Sequence, residues 1–242
     1  MELLGKIWNL ILKLLFKHSP ECPIKIQSQL EIKSEEDDIK PEKKEQGIPV
    51  AVSVLVESSD RHILLTKRPS HMRSSPNVWV SPGGHLELSE SLWEGGAREV
   101  EEETGLIVNV TEDDVLCLWE NVYPLLLGLG PPTSHVLTVY FHVKMDETHD
   151  ELQKLIKLDP QEVESNCWLS SCAVSNLIKL GKSEIQKQYA LENDRLVEKE
   201  LDMNNMFNRF LLQKRTPYSG TQYALRTWLE KCETNDGLFS KF

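Results

Sequence analysis

The sequence has no excess of basic residues, no cysteine pair spaced as in a metal site, and no apolar run long enough to span a bilayer. Its 27 Lys and Arg against 38 Asp and Glu give a formal net charge of −11. This balance argues against a broad, stable nucleic-acid-binding surface, although it leaves room for one small nucleotide pocket. The five cysteines are odd in number and widely spaced, which predicts reduced thiols in a cytoplasmic protein.

Residues 1–18, MELLGKIWNLILKLLFKH, have the period of an amphipathic helix with a wide apolar face. The polar residues that share its narrow stripe are Glu2, Lys6, Asn9, Lys13 and Lys17. Three interpretations stay open: peripheral membrane contact, docking on this protein or a partner, and a secretory signal. Glu2 and the lack of a small-residue cleavage site argue against the signal.

The next stretch, residues 19–47, includes EIKSEEDDIKPEKKEQG, which is nearly all charge with one proline. Such a composition buries too little apolar surface to offset the entropy of ordering, so it predicts a flexible linker. We therefore expect a folded core over residues 48–170 and a helical extension over residues 171–242.

The core shows strand patterns with helices between them, which predicts an α/β fold. The predicted strands are IPVAVSVLVES, HILLTKR, a short one in NVWV, VLCLWENVYP, HVLTVYFHVKM and NCWLS. The first two are joined by a turn over residues 58–61 and form a hairpin. The predicted helices cover residues 91–104, 171–180, 200–214 and 219–233, and residues 181–199 are left unassigned.

The helix over residues 91–104, with Ser89 or Ser91 as its N-cap, sorts its glutamates onto different faces. Its core-facing arc contains Leu92, Trp93, Gly96, Ala97, Val100 and Thr104. Glu99, Glu102 and Glu103 lie on the adjoining arc, because i, i+3 and i+4 positions are neighbours on a helix. Glu94 and Glu101 point away toward solvent. Three converging carboxylates repel one another, and a hard divalent cation such as Mg²⁺ or Mn²⁺ reverses that repulsion.

The glycines in and before this helix suggest that another backbone segment approaches closely. Gly95 and Gly96 lie inside the helix, where each costs about 1 kcal/mol relative to alanine. Close approach of another segment would explain them. Pro82, Gly83 and Gly84 form a predicted loop before the helix, and a carbonyl of that loop can reach the same cation.

The spacing of these residues defines a specific motif. Gly84 is followed after five residues by Glu90, and after seven more by Arg98-Glu99-Val100-x-Glu102-Glu103-x-Gly105-Leu106. From about Ile48 to Leu169 the chain resembles the Nudix hydrolases, whose motif has this pattern. A solvated acidic helix face is the simpler alternative for the glutamates, but it does not explain the spacing.

The resemblance implies an α/β/α sandwich with a mixed sheet, here with an N-terminal amphipathic helix and C-terminal helices added. It also implies Mg²⁺- or Mn²⁺-dependent cleavage of a nucleoside diphosphate linked to another moiety. Glu99, Glu102 and Glu103 would be metal ligands, and the Gly84 carbonyl would join them. Arg98 would orient the catalytic glutamates through an ion pair with Glu90. Gly105 completes the motif.

The general base and the substrate contacts are less closely defined by the resemblance. The stretch DPQEVESNCWL contains Glu162 and Glu164, and Glu162 matches the acidic position of the family better. His85 follows the double glycine and would touch substrate, with loop packing as the alternative. Lys67 and Arg68 end the second strand, where they would meet phosphates or remain solvated.

A narrower resemblance, to the Nudix motif 17 branch, is carried by VWVSPGGHLEL, LWENVYP and SGTQYALRTWL. It implies hydrolysis of N7-methylguanosine-capped RNA, with release of the methylated nucleoside diphosphate. That substrate needs aromatic stacking, for which Trp79, Trp119 and Tyr123 are candidates that would serve equally well in a core. The alternatives are a small nucleotide conjugate (coenzyme A, a dinucleotide cofactor or a nucleotide sugar), a non-catalytic Nudix-fold binding module, and a membrane-tethered adaptor.

Overall fold

The computed structural model describes residues 49–72, 76–123, 134–178, 185–193, 195–202 and 220–235. The predicted N-terminal helix over residues 1–18 and the linker over residues 19–47 lie outside these residues. In the described part of the chain, no helix is long and apolar enough to cross a bilayer.

Within the described residues, nine strands form one mixed sheet. They are β1 (Val50–Glu57), β2 (His62–Lys67), β3 (Trp79–Val80), β4 (Gly83–His85), β5 (Val115–Tyr123), β6 (Ser134–Lys144), β7 (Ser165–Ser170), β8 (Ile185–Glu192) and β9 (Arg195–Asp202). The order across the sheet is β5-β6-β1-β2-β7-β8-β9, with β3 added to β2 and β4 added to β1. β1 and β6 are parallel, and the other pairs between described strands are antiparallel.

Four helices in the described part of the chain cover the two faces of this sheet. They are α1 (Leu92–Thr104), α2 (His149–Leu155), α3 (Ser171–Ile178) and α4 (Gly220–Asn235), and a short 3-10 turn spans Glu112–Asp114.

The two-residue period of the strands explains why both sheet faces are apolar. On β1, Val54 belongs to the core cluster that α1 and α2 help to form. Its neighbour Leu55 belongs to the opposite cluster, where Leu225 and Trp228 of α4 also pack. The result is the predicted α/β/α sandwich, with helices on both faces of a mixed sheet.

The ends of α1 are fixed by local chemistry. Ser91 is the N-cap and forms a capping box with Glu94, in which each side chain accepts a hydrogen bond from the other residue's backbone N–H. Gly105 ends the helix in the left-handed conformation, with φ at 72°. The predicted helix over residues 91–104 is therefore confirmed, and of the two candidate caps Ser91 is the one used. Glu94 is exposed, as expected, but it also closes this box.

The segment after residue 180 differs most from the sequence-based expectation. Residues 185–192 and 195–202, which lie mainly in the unassigned stretch, form the antiparallel pair β8–β9, and β8 pairs with β7. The predicted helix over residues 200–214 is wrong at residues 200–202, because β9 continues to Asp202, and the rest of it lies outside the described residues. Pairing with an existing strand outweighs the helical preference of this charged sequence. The sheet thus extends beyond residue 170. The predicted helix over residues 219–233 is confirmed by α4.

Candidate metal and active site

Two carboxylates of α1 form the buried floor of the site. Glu99 and Glu103 are one helical turn apart and are both buried. Glu102 lies on the outer edge of the same surface, where its side chain is 54% exposed. The helix period therefore brings together two of the three predicted carboxylates in the interior and leaves the third at the rim.

Strand β4 packs directly against this floor. The predicted loop around Gly83 and Gly84 is instead a short strand paired with β1, in register with Val52 and Ser53. A Cβ on Gly84 would lie 2.5 Å from Oε1 of Glu99, so any other residue here would displace the Glu99 carboxylate. A Cβ on Gly83 would collide with the Val52 carbonyl.

The buried Glu103 carboxylate is held by two donors from neighbouring strands. Thr66 of β2 donates from Oγ1 to Glu103 Oε2 over 3.2 Å. The backbone N–H of Gly83 donates to Oε1 over 3.4 Å. The sequence does not single out Thr66, because a threonine near a strand end carries no signal of its own. Only its register opposite Val80 of β3 shows that it reaches the site.

Arg98 links four groups around the site. It makes a bidentate ion pair with Glu90, at 2.8 Å from Nε to Oε1 and 3.0 Å from Nη2 to Oε2. Its Nη1 donates to Glu99 Oε1 over 3.0 Å and to Glu102 Oε2 over 2.8 Å. Its Nη2 also donates to the His85 carbonyl over 3.1 Å. The planar guanidinium thereby fixes the orientation of two glutamates on α1.

A third carboxylate enters from the loop between α2 and β7. One oxygen each from Glu162, Glu99 and Glu103 lie within 4.8 Å of one another. The loop is tied to α1, because the N–H of Asp159 donates to the Glu103 carbonyl over 3.3 Å. The N–H of Glu162 donates in turn to the Asp159 carbonyl over 3.1 Å. Glu162 is exposed, so this carboxylate is accessible to water and substrate.

The two carboxyl groups of the floor have raised pKa values, because they are buried and close to other acidic side chains. Burial raises the pKa of Glu99, an effect that its hydrogen bond to Arg98 partly opposes. Burial, with the nearby charges of Glu99 and Glu162, raises the pKa of Glu103 to about 8. Such groups become stable as anions when a cation joins them. The donor set consists of carboxylate oxygens, which fits Mg²⁺ or Mn²⁺ better than a soft metal.

The structure places both candidate stacking tryptophans in the core. Trp79 is 5% exposed and Trp119 is 8% exposed, and both belong to the cluster beneath α3 and α4. Trp119 also packs at 5.5 Å from the Tyr223 ring. The expectation that these two side chains contact substrate is therefore corrected, because burial in the core covers their ring faces. The side chain of Tyr123 lies outside the described residues.

The other residues predicted to contact substrate differ in their exposure and in their partners. His85 is exposed at the end of β4, next to the Arg98 cluster. Lys67 forms an ion pair with Glu164, at 2.7 Å from Nζ to Oε1. Each of these two side chains therefore neutralises the charge of the other. Arg68 is half-buried, and its backbone N–H donates to the Val78 carbonyl.

Comparisons with known proteins find relatives that match most of the chain. The chain is 35% identical over 237 residues to the m7GpppN-mRNA hydrolase NUDT17 of Danio rerio, covering 90% of this chain and 77% of that protein. It is 33% identical over 228 residues to the protein of the same name from Xenopus laevis, covering 88% and 75%.

Among solved structures, the fold is similar to the MutT protein from Methanosarcina mazei Go1. The sequence identity is 21% and the TM-score is 0.44, and the match covers 71% of this chain and 99% of that one.

The family described as NUDIX domain matches residues 47–190, a range that includes β1 to β7, the first residues of β8, the motif and the carboxylate cluster. Nudix hydrolases generally use divalent metal ions, and the acidic cluster formed by α1 and the loop before β7 supplies suitable ligands. The chain belongs to the Nudix hydrolase family.

Proposed function

We propose that this enzyme hydrolyses N7-methylguanosine-capped RNA and releases the methylated nucleoside diphosphate. The observation that carries the proposal is the convergence of Glu99, Glu103 and Glu162 within 4.8 Å, at the site bounded by the family motif. The choice of substrate is supported by relatives at 33–35% identity that are named as m7GpppN-mRNA hydrolases.

In this proposal Mg²⁺ or Mn²⁺ is the cofactor, held by the buried carboxylates of Glu99 and Glu103. Glu102 and the Gly84 carbonyl complete the predicted ligand set at its rim. When bound, the ion offsets negative charge on the pyrophosphate oxygens and lowers the pKa of a bound water. Gly84 allows the close backbone approach to Glu99 that this arrangement requires.

The residues of the chain divide the remaining tasks between them. Arg98 orients Glu99 and Glu102, and its ion pair with Glu90 fixes the guanidinium itself. Glu162 is the general base that accepts a proton from the attacking water, whose oxygen bonds to phosphorus as the pyrophosphate P–O bond breaks. Glu164 is the weaker candidate, because its carboxylate is engaged by Lys67. We assign Arg68 and His85 to substrate contact beyond the metal, as the family resemblance implies.

We also propose where the enzyme acts in the cell. We infer a cytoplasmic enzyme, because the four cysteines within the described residues are free thiols and three of them are buried. The amphipathic pattern of residues 1–18 supports peripheral contact with a membrane. Deleting residues 1–20 should then shift a membrane-associated fraction to the cytosol without changing turnover. An unchanged distribution would assign that helix to the protein's own surface or to a partner.

The first experiment is a substrate panel with Mg²⁺ or Mn²⁺ and product identification by mass spectrometry. The panel contains capped RNA, a methylated cap analogue, coenzyme A, a dinucleotide cofactor and a nucleotide sugar. Wild type should cleave the capped substrates, Glu102→Gln should lose activity, and Glu101→Gln should retain it because Glu101 faces solvent.

The alternative outcomes are distinct. Preferential cleavage of coenzyme A, the dinucleotide or the sugar would replace the cap substrate by that conjugate and keep the metal-dependent hydrolase. Binding without turnover of any member would support a non-catalytic binding module and would contradict the proposal as a whole.

A further inference from the structure

A second group of metal-ligating side chains lies at the other end of the β1–β2 hairpin. Asp60 is in the turn after β1, His62 begins β2, and His149 begins α2. One possible ligand atom from each of these three residues lies within 4.8 Å of the others. His62 is four positions from Thr66 along β2, so this group is roughly 13 Å along the strand from the residue that contacts Glu103. The two groups are therefore separate.

The Asp60 carboxylate is oriented by other residues before any ion binds. Its Oδ1 accepts hydrogen bonds from the Ser58 hydroxyl over 2.7 Å and from the His149 backbone N–H over 2.9 Å. The other oxygen, Oδ2, is 2.5 Å from Nδ1 of His149 and 3.4 Å from Nδ1 of His62. One carboxylate oxygen thus faces both imidazoles, while its partner oxygen is held in place. Such supporting hydrogen bonds are typical of metal ligands.

We propose that Asp60, His62 and His149 form a binding site for a divalent transition-metal ion of the Zn²⁺ type. Two imidazole nitrogens and one carboxylate oxygen are a donor set that suits zinc, with a fourth position for water. The same set suits Mg²⁺ poorly, because magnesium prefers oxygen ligands. This chemistry distinguishes the group from the carboxylate cluster on α1.

The two imidazole rings define what must move when the ion binds. They are stacked, with centroids 3.9 Å apart and planes at 23°. An ion bound by both rings lies close to the plane of each, so one ring turns out of the stack on binding. The three side chains are 23–35% exposed, and the rotation therefore needs no change in the core. The bound ion would connect the β1–β2 turn to the start of α2.

The test is a calorimetric titration of the full chain with Zn²⁺ in the presence of excess Mg²⁺, which occupies the carboxylate cluster. Wild type should bind one Zn²⁺ under these conditions. His62→Gln and His149→Gln should each raise the Kd by at least about tenfold, since changes in supporting residues alone cost that much. The matched control is His135→Gln. It removes a histidine paired with Glu120 at 2.7 Å, on β6 and away from the group, and should leave the Kd unchanged.

Two results would overturn the proposal. One is an unchanged Kd in both histidine variants, and the other is loss of Zn²⁺ binding in Glu103→Gln alone, which would assign the ion to α1. A measurement on the unaltered chain avoids any effect of the variants on folding. Electron paramagnetic resonance of the Cu²⁺-loaded, Mg²⁺-saturated protein should show two imidazole nitrogens on the copper, and fewer than two would reject the site.

Discussion

The hydroxyl of Thr66 donates a hydrogen bond of 3.2 Å to the carboxylate of Glu103. Both residues are buried, and the contact joins β2 to α1 beneath the carboxylate cluster. The carboxylate most strongly affected by burial is therefore oriented by a neutral residue outside the family motif.

Replacing Thr66 should weaken metal binding without unfolding the protein. Thr66→Val keeps the shape of the side chain but removes the donor, so Glu103 loses one of its two positioning contacts. We expect the Kd for Mn²⁺, measured by calorimetry, to rise about tenfold. Thr66→Ser retains the hydroxyl and should bind Mn²⁺ nearly as tightly as wild type. Equal weakening in both variants would show that the threonine methyl group, and not the hydrogen bond, is important.

Arg98→Lys should lower activity although it conserves the charge. A lysine ammonium cannot pair with both oxygens of Glu90 and also reach Glu99 and Glu102. We expect kcat to fall about 10- to 100-fold on the preferred substrate, as is typical for the loss of groups that orient metal ligands. Arg226→Lys, the same change on the exposed surface of α4, is the control. Wild-type kcat in Arg98→Lys would refute the orienting role.

Stability of the metal-free protein should fall as the pH rises. The folded state keeps the Glu103 proton up to a pKa of about 8, whereas the ordinary value for glutamate is 4.5. Between these values the folded state binds more protons than the unfolded chain, so the free energy of unfolding decreases with increasing pH. Urea denaturation in the presence of a chelator, from about pH 5 to about pH 8, measures the slope.

Glu103→Gln removes the titrating group and should flatten this pH dependence, whereas Glu101→Gln should retain it. Saturating Mn²⁺ should also oppose the decrease, because the ion stabilises the charged carboxylate. A metal-free slope that is the same in Glu103→Gln and in wild type would contradict the assignment.

A buried hydrogen bond stabilises the face of the sheet that α4 covers. Trp228 of α4 donates from Nε1 to Oε2 of Glu57 over 2.9 Å, and both side chains are fully buried. The same oxygen is 2.6 Å from Nε2 of His142. Trp228→Phe removes one donor from a buried carboxylate and should cost about 1–3 kcal/mol of unfolding free energy. Urea denaturation measures this loss. Trp93→Phe, at a partly buried position of α1, should cost less.

The features that the sequence predicts well are those encoded locally. The ends of α1 follow from Ser91, Glu94 and Gly105, and the sorting of glutamates follows from the helix period. The hairpin of β1 and β2 likewise follows from alternating residues and a four-residue turn.

The features that escape prediction depend on contacts between distant segments. The spacing along the chain cannot show that Glu162 lies beside Glu99, and the family resemblance alone suggested its role. Thr66 reaches Glu103 only because of strand register. The two tryptophans face the core because α3 and α4 cover that side of the sheet, and no local pattern distinguishes this from an exposed aromatic. The β8–β9 pair escapes prediction because its polar sequence lacks a marked apolar alternation.

The pairing of β8 with β7 has a consequence for where the chain can be cut. A fragment that stops at residue 170 would turn β7 into an edge strand, with unpaired backbone donors and acceptors along Ser165, Asn166 and Cys167. Exposed edges of this kind invite pairing between molecules. The strand β9, which is outermost among the described strands, instead carries alternating charges, including Arg195, Glu198 and Lys199, which discourage such pairing. The β8–β9 hairpin therefore protects the catalytic domain from edge-to-edge aggregation. A soluble fragment has to include it.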